Sequence, residues 1–151
     1  MDIKQLVGSG DRIGLVTAPV LVIGVIANIA MPEVFGVGGP PEALRLASIL
    51  VLVVGLIVWL WSVVLILTRV PRHELITSGP YAVVRHPLYT GVGLLVLPWA
   101  GFLLNTSLGL LVGLVLYAAS RAFATREESE LAQTFGAAWD RYRARVLLPW
   151  V

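Results

Sequence analysis

The sequence predicts an all-α, polytopic membrane protein of about four transmembrane helices. The last two form a tight hairpin, and an amphipathic helix follows on the cytoplasmic side. Three observations carry that prediction. Hydrophobic residues make up 58% of the chain and charged residues only 13%, well below the roughly 25% charged in an ordinary soluble domain. The charges are segregated, leaving apolar runs long enough to cross a bilayer, which takes about 20 residues and about 17 at minimum. The arginines gather almost wholly at alternate connections, the asymmetry that sets the orientation of a polytopic chain. A lipid-exposed sheet is excluded, because backbone polar groups in hydrocarbon must be satisfied within their own segment. At 151 residues there is room for one domain, here a single membrane domain.

The first span runs from about residue 13 to 31. It reads as retained rather than cleaved, since no strongly basic start precedes it and no small-residue cleavage site follows. Next comes a Gly/Pro-rich external turn with Pro32, Gly36, Gly38, Gly39, Pro40 and Pro41. Its Gly-Val-Gly-Gly stretch is not a dinucleotide fingerprint, because no strand precedes it. The second span, about 46–68, places Trp59 and Trp61 near its centre, away from any interfacial belt. They read either as helix packing or as lining for a lipophilic substrate tunnel. The third and fourth spans, about 88–104 and 108–124, are separated only by Asn105-Thr106-Ser107, hence the hairpin. Lys4, Arg12, Arg69, Arg72, Arg85, Arg121, Arg126, Arg141, Arg143 and Arg145 fall on one side and Arg45 alone on the other. Both termini and the middle loop are therefore expected to be cytoplasmic. The excess of arginine over lysine is a codon argument for a GC-rich bacterial source.

Beyond the fourth span, Leu131, Phe135, Trp139, Tyr142 and Val146 recur at spacings of three and four, marking one apolar face of an amphipathic helix. Such a helix lies along the membrane surface or folds back over the cytoplasmic ends of the spans. Gly136 marks a bend, and Pro149 closes the pattern.

The residue types present narrow the chemistry. Without cysteine there is no disulfide, thiolate nucleophile or cysteine-ligated metal. His73 and His86 are too few for a histidine-built metal site, and no metal is expected. In the middle loop Gly79-Pro80 is turn chemistry, and Pro87 suits the first position of a helix, where a missing N–H costs nothing. Arg85 and His86 then sit at a helix start, where backbone donors and partial positive charge favour an anion such as the carboxylate of an amino-acid-like cofactor. Tyr89 follows one turn on, on the face of His86. The plainer reading is a positive-inside anchor with an interfacial aromatic. Thr125 followed by Glu128 fits a helix capping box. Alternatively, Glu127 and Glu128 face the same cytoplasmic mouth as His86 and bind ribose hydroxyls, an amino group or a sulfonium charge.

Taken in order, Gly79-Pro80-Tyr81, then Val84-Arg85-His86-Pro87-Leu88-Tyr89-Thr90-Gly91, then Glu127-Glu128 with Leu131, Phe135-Gly136, Trp139, Tyr142 and Pro149, resemble the isoprenylcysteine carboxyl methyltransferase group, which belongs with the membrane phospholipid methyltransferases. The resemblance covers residues 77–149. It implies an enzyme that uses S-adenosylmethionine, enclosed by the Arg-His-Pro-x-Tyr loop and the Glu-Glu helix, and a lipophilic or lipidated substrate reached from the bilayer. The expected partners are that substrate and membrane lipid, with no nucleic acid. Arg85 and Glu127 become the expected catalytic residues. Tyr81, Val84, His86, Leu88, Tyr89, Glu127 and Glu128 become the expected cofactor-binding set. Two departures stand out. Where family members often carry an arginine one turn before the acidic pair, this chain has Phe123 and Ala124, leaving Arg85, Arg121 or Arg126 to fill that part. The first two spans match no motif, so the methyl acceptor is not implied.

Membrane sterol reductases have a similar Arg-His-Pro-x-Tyr loop and a similar Phe-Gly-x-x-Trp-x-x-Tyr ending but bind NADPH. The Glu127-Glu128 pair favours the methyltransferase. A non-enzymatic membrane scaffold is the third class, and it would respond to neither cofactor.

Overall fold

The apolar runs fold as helices in a computed structural model that describes residues 10–39 and 41–148. In chain order these are α1 (Gly10–Ala30), the single turn α2 (Pro32–Phe35), α3 (Glu42–Arg69), the single turn α4 (Pro80–Val83), α5 (Pro87–Leu103), α6 (Leu108–Phe135) and α7 (Ala137–Arg143). Helices α1, α3 and α6 are each long and apolar enough to cross a membrane, and α5 is a shorter apolar helix. Among the described residues there is no strand, only two isolated bridges, Gly36 with Thr106 and Val84 with Leu148. Lys4, Pro40 and Pro149 lie outside the described residues.

The α5–α6 hairpin is the centre of the bundle, with α1 packed on α6 and α3 on α5. Gly93 and Gly101 of α5 meet Gly113 and Gly109 of α6 so closely that a Cβ on Gly109 would run into the Leu97 carbonyl, and one on Gly113 into that of Gly93. Lipid tails are as apolar as leucine, so helices associate in a bilayer through such close packing of small residues. Gly24 takes the Leu108 side chain, and Gly55 lies against Leu95 and Val96. Outer faces of α1 and α3 expose Leu15, Ile23, Ile29, Leu50, Ile57 and Leu60, the surface expected of segments solvated by lipid.

Helix α5 is not uniform. After the α-turn Pro87–Thr90 it widens into a π-helical stretch, Gly91–Val96, before resuming as Leu97–Leu103. Pro98 is the reason: it has no N–H for the Leu94 carbonyl, and its ring crowds that carbonyl in a regular helix. A wider turn just ahead of it relieves the clash. At the hairpin turn, Asn105 takes a left-handed conformation (φ 57°) and its carboxamide oxygen accepts from the Gly39 N–H at 2.7 Å. The Thr106 hydroxyl meets Asn28 Oδ1 at 2.7 Å, and Ser107 donates from both N–H and hydroxyl to the Phe35 carbonyl. The short connection thus also ties the hairpin to the first loop.

Two sequence expectations change. The fourth span and the start of the amphipathic helix are one continuous 28-residue helix. Residues 114–135 contain neither Gly nor Pro and are rich in Ala, Leu, Glu and Arg, strong helix formers with nothing to stop them. Thr125 and Glu128 are therefore mid-helix. The capping-box reading fails, since a cap needs a residue with non-helical backbone. The expected bend does occur at Gly136 (φ 48°), and across it Leu131, Phe135, Trp139, Tyr142 and Val146 close into one cluster with Ala132 and Leu75. The second change concerns Trp61. It lies toward the Arg69 end of α3, its indole against Gly79 of the following loop, rather than at mid-span.

Candidate functional site

The loop between α3 and α5 is shaped by its turn residues. Gly79 has φ 63°, and a Cβ there would come within 2.9 Å of the Trp61 ring, so both its conformation and its closeness demand glycine. Pro80 opens α4. Two residues after that turn the chain reaches Arg85 and His86, with His86 in the capping position of α5 and Pro87 first in the helix, as expected.

From this helix start both side chains turn toward α6. Arg85 Nη1 donates to Glu128 Oε2 at 2.8 Å, and His86 Nε2 lies 3.3 Å from Glu128 Oε1. The three side chains are only 11%, 9% and 18% exposed. Charges withdrawn from water this far are sustained by pairing. Glu127 is one position earlier on α6, about 100° around the helix, and its charge acts on the Tyr81 phenol instead. Burial foremost, then Glu127, Tyr142 and Tyr89, raise the Tyr81 pKa well above the usual tyrosine value. Tyr142 is pushed up to about 12, by burial first, with Arg85 opposing the rise and Glu128 adding to it. Both phenols are neutral hydrogen-bond donors at physiological pH.

Tyr81, Arg85, His86, Tyr89, Glu127 and Glu128 thus gather at one end of the bundle. Leu88 is half-buried in the first turn of α5 beside them. Val84 takes part through its backbone, bridged to Leu148. Trp61 reaches the loop through Gly79, while Trp59 stays half-buried within α3. Of the three arginines weighed for the acidic pair, Arg85 is the one bonded to it. Arg126 pairs with Glu130 on the exposed side of α6 at 3.3 Å, and Arg121 lies two turns before Glu128, about 10 Å along the axis.

Two residues of this end escaped the sequence reading. Arg143 lines a cleft of about 340 Å³ together with Arg85, Asp140 and Ala144, and its charge acts on Glu128. In the sequence it is one of three alternating arginines, and nothing sets it apart. Tyr142 belongs in the sequence to the apolar face and to the family motif without a role at the site, yet its hydroxyl donates to the Tyr81 carbonyl at 2.9 Å. The partner is distant along the chain, so no local pattern announces it.

Chemically, the site joins a guanidinium and a carboxylate in a direct ion pair, with a second carboxylate and phenols beside them. A zwitterionic amino-acid group complements such a pair, its carboxylate meeting Arg85 and its ammonium meeting Glu128. The donor set therefore fits the amino-acid end of S-adenosylmethionine. Among the described residues no group of His, Asp and Glu is arranged to hold a metal.

No solved structure matches this chain. A protein-S-isoprenylcysteine O-methyltransferase of Schizosaccharomyces pombe is 39% identical over 74 residues, covering 49% of this chain and 31% of the relative. The matched region is thus about a third of that relative's length. Residues 43–133 match the sequence profile of the isoprenylcysteine carboxyl methyltransferase family. That stretch is more than half of the chain and contains both the Arg85-His86 loop and the Glu127-Glu128 pair, so the chain belongs to the isoprenylcysteine carboxyl methyltransferase family.

Proposed function

We propose that this chain is an integral membrane methyltransferase that uses S-adenosylmethionine to methylate an anionic group on a lipophilic acceptor. A prenylated cysteine carboxylate is the acceptor to which the family and the relative's name point. The observation that carries this reading is the opposed Arg85–Glu128 pair, 2.8 Å apart and largely withdrawn from solvent, beside Glu127 and three tyrosines. Following the distribution of arginines, the site faces the cytoplasm.

The cofactor supplies an electrophilic methyl group on a sulfonium. Arg85 would hold a ligand carboxylate in place of Glu128, that of the cofactor or of the acceptor, and Glu128 would hold the cofactor's ammonium group. His86 and Tyr89, at the start of α5, complete the hold on the amino-acid end. Glu127 takes the remaining polar groups, and Tyr81, Leu88 and α7 exclude water. An acceptor that is already an anion needs no strong base. The chain's main contribution is then to hold donor and acceptor in line, which supplies several kcal/mol, and to keep the acceptor's carboxylate poorly hydrated. Trp61, half exposed on the outer face of α3 and in contact with Gly79, lines the acceptor's approach from the lipid.

The test is thermal unfolding in detergent with S-adenosylhomocysteine or NADPH. Ligand at 100 times its Kd stabilises by about 2.7 kcal/mol. S-adenosylhomocysteine should raise the melting temperature, and His86→Ala or Glu127→Ala should diminish the rise. No response at high concentration would refute the methyltransferase reading, and a response to NADPH instead would establish the reductase.

A further inference from the structure

We propose that the C-terminal segment Tyr142–Leu148 is a strap that sets the Arg85-His86 loop for cofactor binding, with Tyr142 as a positioning residue. This rests on the cofactor reading above. Helix α4 is a single turn of four residues, and a helix that short leaves its carbonyls without partners further along the helix. The strap supplies them in order. The Tyr81 carbonyl accepts from the Tyr142 hydroxyl at 2.9 Å, that of Ala82 from the Leu147 N–H at 3.4 Å, and that of Val83 from the Leu148 N–H at 2.9 Å. Val84, bridged to Leu148, comes next, and then Arg85 and His86.

The other end of the strap is held firmly. Trp139, Tyr142 and Val146 are 2%, 6% and 7% exposed, packed against Leu131, Phe135 and Leu75. Leu131 and Phe135 belong to α6, one and two turns beyond Glu128. The helix that carries the acidic pair therefore also anchors the segment that holds the loop carrying Arg85. Through Tyr142, Leu147 and Leu148, none of which lines the Arg85 cleft, the strap fixes the spacing between the two paired charges.

Two substitutions remove strap donors while sparing the packing. Tyr142→Phe keeps the ring and loses the hydroxyl. Leu148→Pro loses the N–H to Val83. Hydrogen exchange across residues 81–90 of the ligand-free protein reads the loop directly, through amides such as Val84 and Thr90, whose bonds to Pro80 and His86 span it. Binding of S-adenosylhomocysteine reads the site. Each variant should speed exchange in that segment and weaken binding about 3- to 10-fold, the worth of one net hydrogen bond. The double variant should lose less than the product of the two, since a loop once freed has little more to lose. With Arg85 holding the cofactor's carboxylate, the KM of a prenylated acceptor should stay within about twofold, an effect too small to count as one lost hydrogen bond. A general loss of packing would not divide the two ligands in this way. Unchanged exchange, or faster exchange with unchanged affinity, overturns the strap. Failure of the unaltered chain to bind S-adenosylhomocysteine overturns the cofactor reading instead. Should Leu148→Pro fail to fold, Tyr142→Phe decides the matter alone.

Discussion

Glu128→Gln keeps the size of the side chain at the centre of the site and removes its charge. In the native arrangement one carboxylate oxygen accepts from Arg85 at 2.8 Å and the other faces His86 at 3.3 Å. Deleting one partner of a fully buried ion pair costs about 3–5 kcal/mol. Here the glutamine oxygen still accepts from Arg85 and its amide nitrogen can face the His86 ring. The Arg85 bond remains one from a charged donor, so the loss is the charge–charge attraction, more than the up to about 1 kcal/mol of an exposed pair and less than the about 3 kcal/mol at which breaking a fully buried pair begins. That places the destabilisation at about 1–2 kcal/mol, or about 2–8 °C in melting temperature for a chain of this length. Ligand binding should suffer further, because the amide cannot pair with an ammonium group. A charged hydrogen bond of about 1.5–3 kcal/mol corresponds to roughly 10- to 150-fold in affinity for S-adenosylhomocysteine. The assay is intrinsic-fluorescence melting in detergent across a ligand titration, run on Glu128→Gln, Arg85→Gln and the double variant. The double variant should be less destabilised than the sum of the singles, by about 1–3 kcal/mol. Strict additivity, or a Glu128→Gln protein with native melting temperature and native ligand response, would refute both the ion pair and the site built on it.

Alkaline pH should destabilise the fold. Tyr142 has its folded pKa raised to about 12 and Tyr81 is raised as well, so their contribution is complete below the unfolded value of about 10 and is lost as pH rises toward the folded one. Denaturation followed together with tyrosinate absorbance tests this, and a stability unchanged from neutral pH through that window would contradict it. Gly109→Ala should cost about 1–3 kcal/mol or more, because its Cβ would meet the Leu97 carbonyl and lie 2.9 Å from Gly101 Cα. Gly14→Ala, with nothing within 4 Å, is the control, and equal melting temperatures for the two would refute close α5–α6 packing. Trp61→Ala should raise the KM for a prenylated acceptor while the stabilisation by S-adenosylhomocysteine persists; an unchanged KM would remove Trp61 from the acceptor's path.

What the sequence by itself determined is everything that depends on neighbours along the chain. Apolar runs between clustered arginines specify membrane-length helices, because a peptide in hydrocarbon must bond within its own segment. His86 and Pro87 specify a helix start, because proline is favoured at the first helical position, where its missing N–H costs nothing. Gly136 specifies a bend because it takes a left-handed backbone conformation (φ 48°). Tertiary structure alone decided which of several equivalent residues meet. Arg85, Arg121 and Arg126 are alike in type, and only the folding of the loop onto α6 pairs Arg85 with Glu128 while Arg126 turns to Glu130. The continuity of α6 past residue 124 was obscured because Thr125 and Glu128 carry the letters of a capping box, and a cap is defined by backbone conformation rather than by residue type. Tyr142 meets the Tyr81 carbonyl and Trp61 lies against Gly79, contacts made across the fold. The physical reason is that helix formation and membrane partition are sums over adjacent residues, whereas an ion pair or a strap depends on which surfaces the packed helices bring together.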